Sequence, residues 1–133
     1  MIDHINAFVL PVRNVEKCAL FSRDKLGFNL DQLENDEAYL TMKDKNSPVL
    51  ALKSLNLVSK EISEERIRPQ EENIIKRTHF VVFVSDVDKE FEDLKLKGVN
   101  FVNPPTTREG GWRNAHFEDP EGNLWEIAQR PRK

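Results

Sequence analysis

The feature that most constrains this chain is that it repeats itself. Val12-Arg13-Asn14-Val15-Glu16-Lys17 can be laid over Val84-Ser85-Asp86-Val87-Asp88-Lys89, and Leu26-Gly27-Phe28-Asn29-Leu30 over Lys97-Gly98-Val99-Asn100-Phe101. Both copies share one grammar: an apolar strand, an Asn or Asp able to cap a helix, the helix, then a glycine suited to the left-handed turn beyond it. Self-similarity of this kind marks a repeated structural unit. Each half reads as a strand, a helix and three further strands. One such unit leaves a sheet face bare, so two must pair to make a core. The expectation is an α+β fold of two βαβββ modules, residues 1–57 and 77–133, joined by a linker at 58–76 into a single domain.

Within the first half, residues 5–12 read as a strand in which Pro11 ends the pairing or marks an edge. Asn14 caps a helix running to about Leu26, with Val15, Cys18, Ala19 and Ser22 as its small inner stripe and Phe21 and Leu26 beside it. Strands follow near 28–34, 36–43 and 48–54. The stretch Lys60 to Arg68 is mostly charged, Pro69 breaks it, and it reads as a solvated connector with a short helix. In the second half His79 to Val84 is apolar and β-branched, which predicts a buried strand. Asp86 caps a helix whose inner residues are Val87, Phe91, Leu94 and Leu96. Strands are expected at 99–102, 112–118 and 124–129, with a loop between Pro104-Pro105 and Gly110-Gly111. Asp119-Pro120-Glu121-Gly122-Asn123 is a hairpin turn, because Pro120 fixes φ and Gly122 accepts a positive one. The basic tail Arg130-Pro131-Arg132-Lys133 is expected to be disordered.

Composition narrows the function. At 133 residues the chain is long enough for a core without staples. A net charge of −3, from 20 basic and 23 acidic residues, gives no reason to expect nucleic acid or an anionic membrane as partner. The lone cysteine, Cys18, cannot form an intramolecular disulfide and has no local activating group, so it reads as a helix-face residue. Met1-Ile2-Asp3-His4 lacks the basic and apolar regions of a signal peptide, and no apolar run approaches a membrane span, so a cytoplasmic location is expected.

The order βαβββ twice, with Phe117-Glu118-Asp119-Pro120-Glu121-Gly122-Asn123-Leu124-Trp125-Glu126-Ile127 closing the chain, resembles the vicinal oxygen chelate superfamily. Val15-Glu16-Lys17 and the run from Phe21 to Phe28 are similar to that family's first helix and the strand after it. The superfamily includes glyoxalase I, extradiol dioxygenases, and fosfomycin- and bleomycin-resistance proteins. The resemblance implies a cupped mixed sheet with helices outside and an inner face lining a cavity. Strand alternation then assigns the faces. His79, Val81 and Phe83 line the cavity, while Phe80, Val82 and Val84 face the helix. Leu124, Glu126 and Ala128 line it, while Trp125 and Ile127 pack under the helix. With Phe117 in the core, Trp112, Asn114 and His116 line it too, and Tyr39 and Thr41 alternate with core Leu40 and Met42.

Family enzymes hold a divalent metal with residues from the first and last strands of each module. Counting from the valine before each helix cap, the resemblance implies His79 and Glu126 in module two but Ala7 and Ala51 in module one. Alanine donates nothing to a metal, and zinc or iron sites normally use three or four protein ligands. Two donors argue against ordinary family catalysis. His4 falls on the opposite face from Ala7 unless the register slips, which would turn the apolar pattern inside out. His116 shares the cavity face, so a His79–His116–Glu126 set is conceivable if the strands come close enough for bonds of about 2.1 Å.

Two functions follow as expectations. The first is a non-catalytic binder of a small organic ligand, similar to the bleomycin-resistance branch, with Trp112 stacking on a planar ligand beside Asn114, His116, Val81, Phe83 and Tyr39. It needs no cofactor. The second is a lyase, isomerase or dioxygenase using zinc, nickel, iron or manganese at His79 and Glu126, with Glu126 the candidate catalytic base. The resemblance also implies a homodimer.

Overall fold

In the computed structural model, which describes residues 1–62 and 79–132, the chain divides into two units, Met1–Glu72 and Asn73–Lys133. The first runs β1 (Ala7–Val12), α1 (Val15–Asp24), β2 (Asn29–Leu33), β3 (Glu37–Thr41), β4 (Val49–Ser54) and α2 (Leu55–Glu61). The second runs β5 (Phe80–Phe83), α3 (Val87–Leu96), β6 (Asn100–Phe101), β7 (Thr106–Thr107), β8 (Arg113–Glu118) and β9 (Leu124–Gln129). Their sheets have the orders β1-β4-β3-β2 and β5-β9-β8-β6, with β7 pairing β8. In each, the first strand lies parallel to the last and the other pairs are antiparallel. The repeat seen in the residues is therefore a repeat of topology, and the α+β, βαβββ expectation holds.

Local chemistry explains why the copies fold alike. Asn14 accepts the backbone N–H of Lys17 at 2.9 Å, and Asp86 accepts that of Lys89 at 3.1 Å. Each bond satisfies a donor that the first helical turn leaves without a partner. Gly27 and Gly98 lie beyond the two helices at φ +79° and +87°, a conformation that costs any residue with a Cβ. The inner stripe of α1, Val15, Cys18, Ala19 and Ser22, is buried as expected and packs on β2, β3 and β4. Leu40 and Leu50, paired across β3 and β4, are buried in the same unit. Beneath α3 an aromatic row runs from Phe91 through Phe101 and Phe117 to Trp125, with neighbouring centroids 4.6, 5.5 and 6.1 Å apart. Asp119 anchors the closing turn. Its Oδ1 accepts the Glu121 and Asn123 backbone N–H groups at 2.9 Å, and its Oδ2 accepts the Trp125 indole N–H at 3.2 Å.

Four readings change. The strand from His79 to Val84 is not buried throughout: β5 is an edge strand, and Val81 and Phe83 on its open face are 49% and 58% exposed. Leu96 is 86% exposed, because Leu94 already occupies the inward position at the end of α3. The loop before Gly110-Gly111 carries an additional short strand, β7, paired through Thr106↔Asn114 and Thr107↔Arg113. The basic tail is held at its start, with the Arg130 guanidinium 4.9 Å from the Phe83 ring centre. The charged connector resolves into α2 up to Glu61, whereas residues 63–69 lie outside the described residues. No helix among the described residues is long and apolar enough to cross a membrane.

Candidate metal and ligand site

Backbone pairing builds the site. Glu126 at the centre of β9 faces Val81 across the parallel β5 and His116 across the antiparallel β8. Residues directly opposite share a face, and so do those two positions along a strand. One open face therefore gathers His79, Val81, Phe83, Asn114, His116 and Glu126. The Nε2 of His79 lies 3.3 Å from Glu126 Oε1, and the Nε2 of His116 lies 3.1 Å from the same oxygen. Asn114 donates its amide N–H to Glu126 Oε2 at 3.3 Å, and Arg108 donates Nε–H to Asn114 Oδ1 at 2.9 Å. The two imidazoles stand edge-on at 69° with centroids 5.9 Å apart. Trp112 packs against Phe83, centroids 5.5 Å apart, forming an aromatic shelf at one end of this face.

Strand separation does not keep the two histidines from Glu126. One ligand atom each from His79, His116 and Glu126 all lie within 4.8 Å of one another. Donors at the corners of a tetrahedron with bonds of about 2.1 Å sit about 3.4 Å apart. The two edges through Glu126 Oε1 match that spacing, so each histidine stands at a distance from Glu126 that suits a shared divalent ion.

The matching strands of the first unit supply no donor. The parallel pair β1–β4 has the register Val9↔Ala51, just as β5–β9 has Val81↔Glu126. Two residues before Val9 stands Ala7, and two before Val81 stands His79. The positions counted from the repeat are thus equivalent in backbone pairing, and the first unit offers two methyl groups where the second offers an imidazole and a carboxylate. His4 is exposed ahead of β1. Tyr39 pairs with Ala51 in the first unit, and its hydroxyl donates to Glu37 Oε2 at 3.1 Å. That hydrogen bond, helped by burial and the negative charge of Glu37, holds the phenol above its ordinary range.

Two residues of the site escape a reading of the sequence. Arg130 lies over Phe83 although it belongs to the basic tail. Asn103 holds His116 from behind: its Oδ1 accepts the His116 backbone N–H at 2.8 Å, and its amide nitrogen lies 3.0 Å from His116 Nδ1. No local pattern marks Asn103, because β6 ends two residues earlier and only its pairing with β8 brings it to His116.

The model of the Glyoxalase/Bleomycin resistance protein/Dioxygenase superfamily matches residues 2–127. The Bacillus subtilis (strain 168) protein YraH, itself uncharacterized, is 34% identical over 119 residues, covering 89% of this chain and 91% of its own. Among solved structures, a glyoxalase/bleomycin resistance protein/dioxygenase from Nocardioides superposes with a TM-score of 0.80 at 22% identity, covering 98% of this chain and 85% of that one. A family enzyme from Burkholderia phytofirmans PsJN gives a TM-score of 0.79 at 16% identity, covering 93% and 96%. At those identities the structural likeness speaks for the fold. The match of the family model over nearly the whole length decides membership: the chain belongs to the glyoxalase, bleomycin resistance protein and dioxygenase superfamily.

Proposed function

We propose that the chain is a cytoplasmic small-molecule-binding protein of the glyoxalase and bleomycin-resistance type, whose metal site is degenerate and which works as a homodimer without a cofactor. The observation that carries this reading is the pair of alanines, Ala7 and Ala51, at positions equivalent in register to His79 and Glu126. Without those two donors a metal would keep at most three protein ligands among the described residues, His79, His116 and Glu126, all from the second unit. The ligand is a small planar organic molecule stacked on the Trp112–Phe83 shelf, with Val81 as apolar wall and Asn114 and His116 as polar contacts; in the first unit, taken by itself, Tyr39 is the candidate contact. The modules 1–57 and 77–133, joined by 58–76, act together as one domain.

A second reading has one observation in its favour, the donor spacing around Glu126 Oε1. There His79, His116 and Glu126 would hold zinc, nickel, iron or manganese in a lyase, isomerase or dioxygenase, the ion polarising a substrate oxygen. Metal analysis of protein purified without chelator separates the two. The binder reading expects far less than one equivalent, and a thermal-shift screen of planar aromatic compounds that finds stabilising ligands abolished by Trp112→Ala. Stoichiometric metal, lost on His79→Ala or Glu126→Ala, would replace it with the enzyme reading.

A further inference from the structure

We infer that Asn103 locks His116 in its Nε2–H tautomer, so that this histidine is a hydrogen-bond donor to Glu126 and is withheld from any metal ion. The inference deepens the binder reading, because it removes the one observation that favoured the enzyme.

The backbone N–H of His116 can only donate, so the Asn103 atom 2.8 Å from it must be the carbonyl oxygen. That fixes which way the amide points without reference to the ring. The other end of the amide, its NH2, then lies 3.0 Å from His116 Nδ1, while the oxygen is 3.4 Å from the same atom. The amide nitrogen is the nearer of the two, and an NH2 group donates and cannot accept, so Nδ1 presents its lone pair to it. A neutral imidazole has one ring proton, which therefore sits on Nε2. Nε2 is 3.1 Å from Glu126 Oε1, an acceptor. Both ring nitrogens are satisfied, one as acceptor and one as donor.

A metal reverses both requirements. Coordination through Nε2 needs the lone pair there and moves the proton to Nδ1, where it would face the Asn103 NH2, donor against donor. Histidines that ligate metals have the opposite arrangement, with a carboxylate, carbonyl or water accepting the proton of the second nitrogen. Asn103 is thus a positioning residue that acts through His116. Of the three atoms whose spacing suits an ion, only His79 Nε2 and Glu126 Oε1 are left to bind one. Glu126 meanwhile keeps its carboxylate tethered by His116 and Asn114, facing the ligand as a fixed acceptor for a hydroxyl or N–H group.

The substitution Asn103→Asp tests this, since one carboxylate oxygen still accepts the His116 backbone N–H while the other replaces the NH2 beside Nδ1. In the unmodified chain, long-range nitrogen–proton NMR of the neutral His116 ring is expected to show the Nε2–H pattern. Zinc titration against a chromophoric chelator is expected to give at least about 10-fold tighter binding for Asn103→Asp than for the unmodified chain. Adding His116→Ala to that variant should abolish the gain. An Nδ1–H pattern in the unmodified chain overturns the inference whether or not the variant folds. So does a gain that survives removal of His116, or a loss of zinc affinity in the unmodified chain on His116→Ala as large as on His79→Ala. None of these results depends on a ligand being found, so the inference and the binder reading can fail separately.

Discussion

Asp88 and Arg113 tie the first turn of α3 to β8. Arg113 donates Nε–H to Asp88 Oδ2 at 2.9 Å and Nη2–H to Oδ1 at 2.8 Å, and Nη1–H to Thr107 Oγ1 at 3.0 Å. The hydrogen bonds from Arg113, and then its charge, hold the Asp88 carboxyl below the usual carboxylate range, and the same hydrogen bonds with the charge of Asp88 raise the guanidinium further above its own. Because the folded value of Asp88 lies below the unfolded one, the pair stabilises the fold fully above the ordinary carboxylate pKa. That contribution disappears as pH falls through the lowered folded value. Both groups are solvated, so the effect is small. In urea titrations Asp88→Asn should be less stable than the unmodified chain at neutral pH, and the gap should narrow as the pH falls below the ordinary carboxylate range. A gap independent of pH would mean that the pair contributes by packing and not by charge.

At the scale of elements, α1 and α3 are the most locally specified parts of the molecule. Both begin at a short polar side chain that accepts the backbone N–H three residues on, and both end ahead of a glycine with positive φ. Asn14→Ala and Asp86→Ala should each destabilise the chain by about 1 kcal/mol, measured as a shift of the urea midpoint at constant slope. The strands are specified less evenly. β8 and β9 are legible because their alternation is regular and Asp119 fixes the turn between them. β6 and β7 have two residues each, too few for a period to show, and exist because β8 offers them partners.

For the whole molecule, the proposal of one domain from two modules makes its own prediction. Leu40 in the first unit and Phe117 in the second are both essentially inaccessible to solvent. Leu40→Ala should cost about 2–5 kcal/mol and Phe117→Ala about 3–5 kcal/mol through lost burial and the cavity left behind. If the modules fold as one, both variants lower a single transition seen alike by tryptophan fluorescence and circular dichroism. Both tryptophans, Trp112 and Trp125, belong to the second unit. Fluorescence unmoved by Leu40→Ala while circular dichroism splits into two steps would show the modules unfolding separately.

The residues alone determined the repeated βαβββ order, the helix caps and the inner stripe of α1, and the resemblance to the family added His79 and Glu126 against Ala7 and Ala51. Each of these depends on short-range chemistry or on counting along a strand, where the backbone period is fixed. Tertiary structure alone decided that His116 meets Glu126 at hydrogen-bonding distance, that Val81 and Phe83 stay exposed on an edge strand, and that Asn103 and Arg130 reach the same face. Those outcomes depend on which strands become neighbours and where a short strand leaves its partner, and cross-strand pairing is a contact between residues that the sequence keeps far apart.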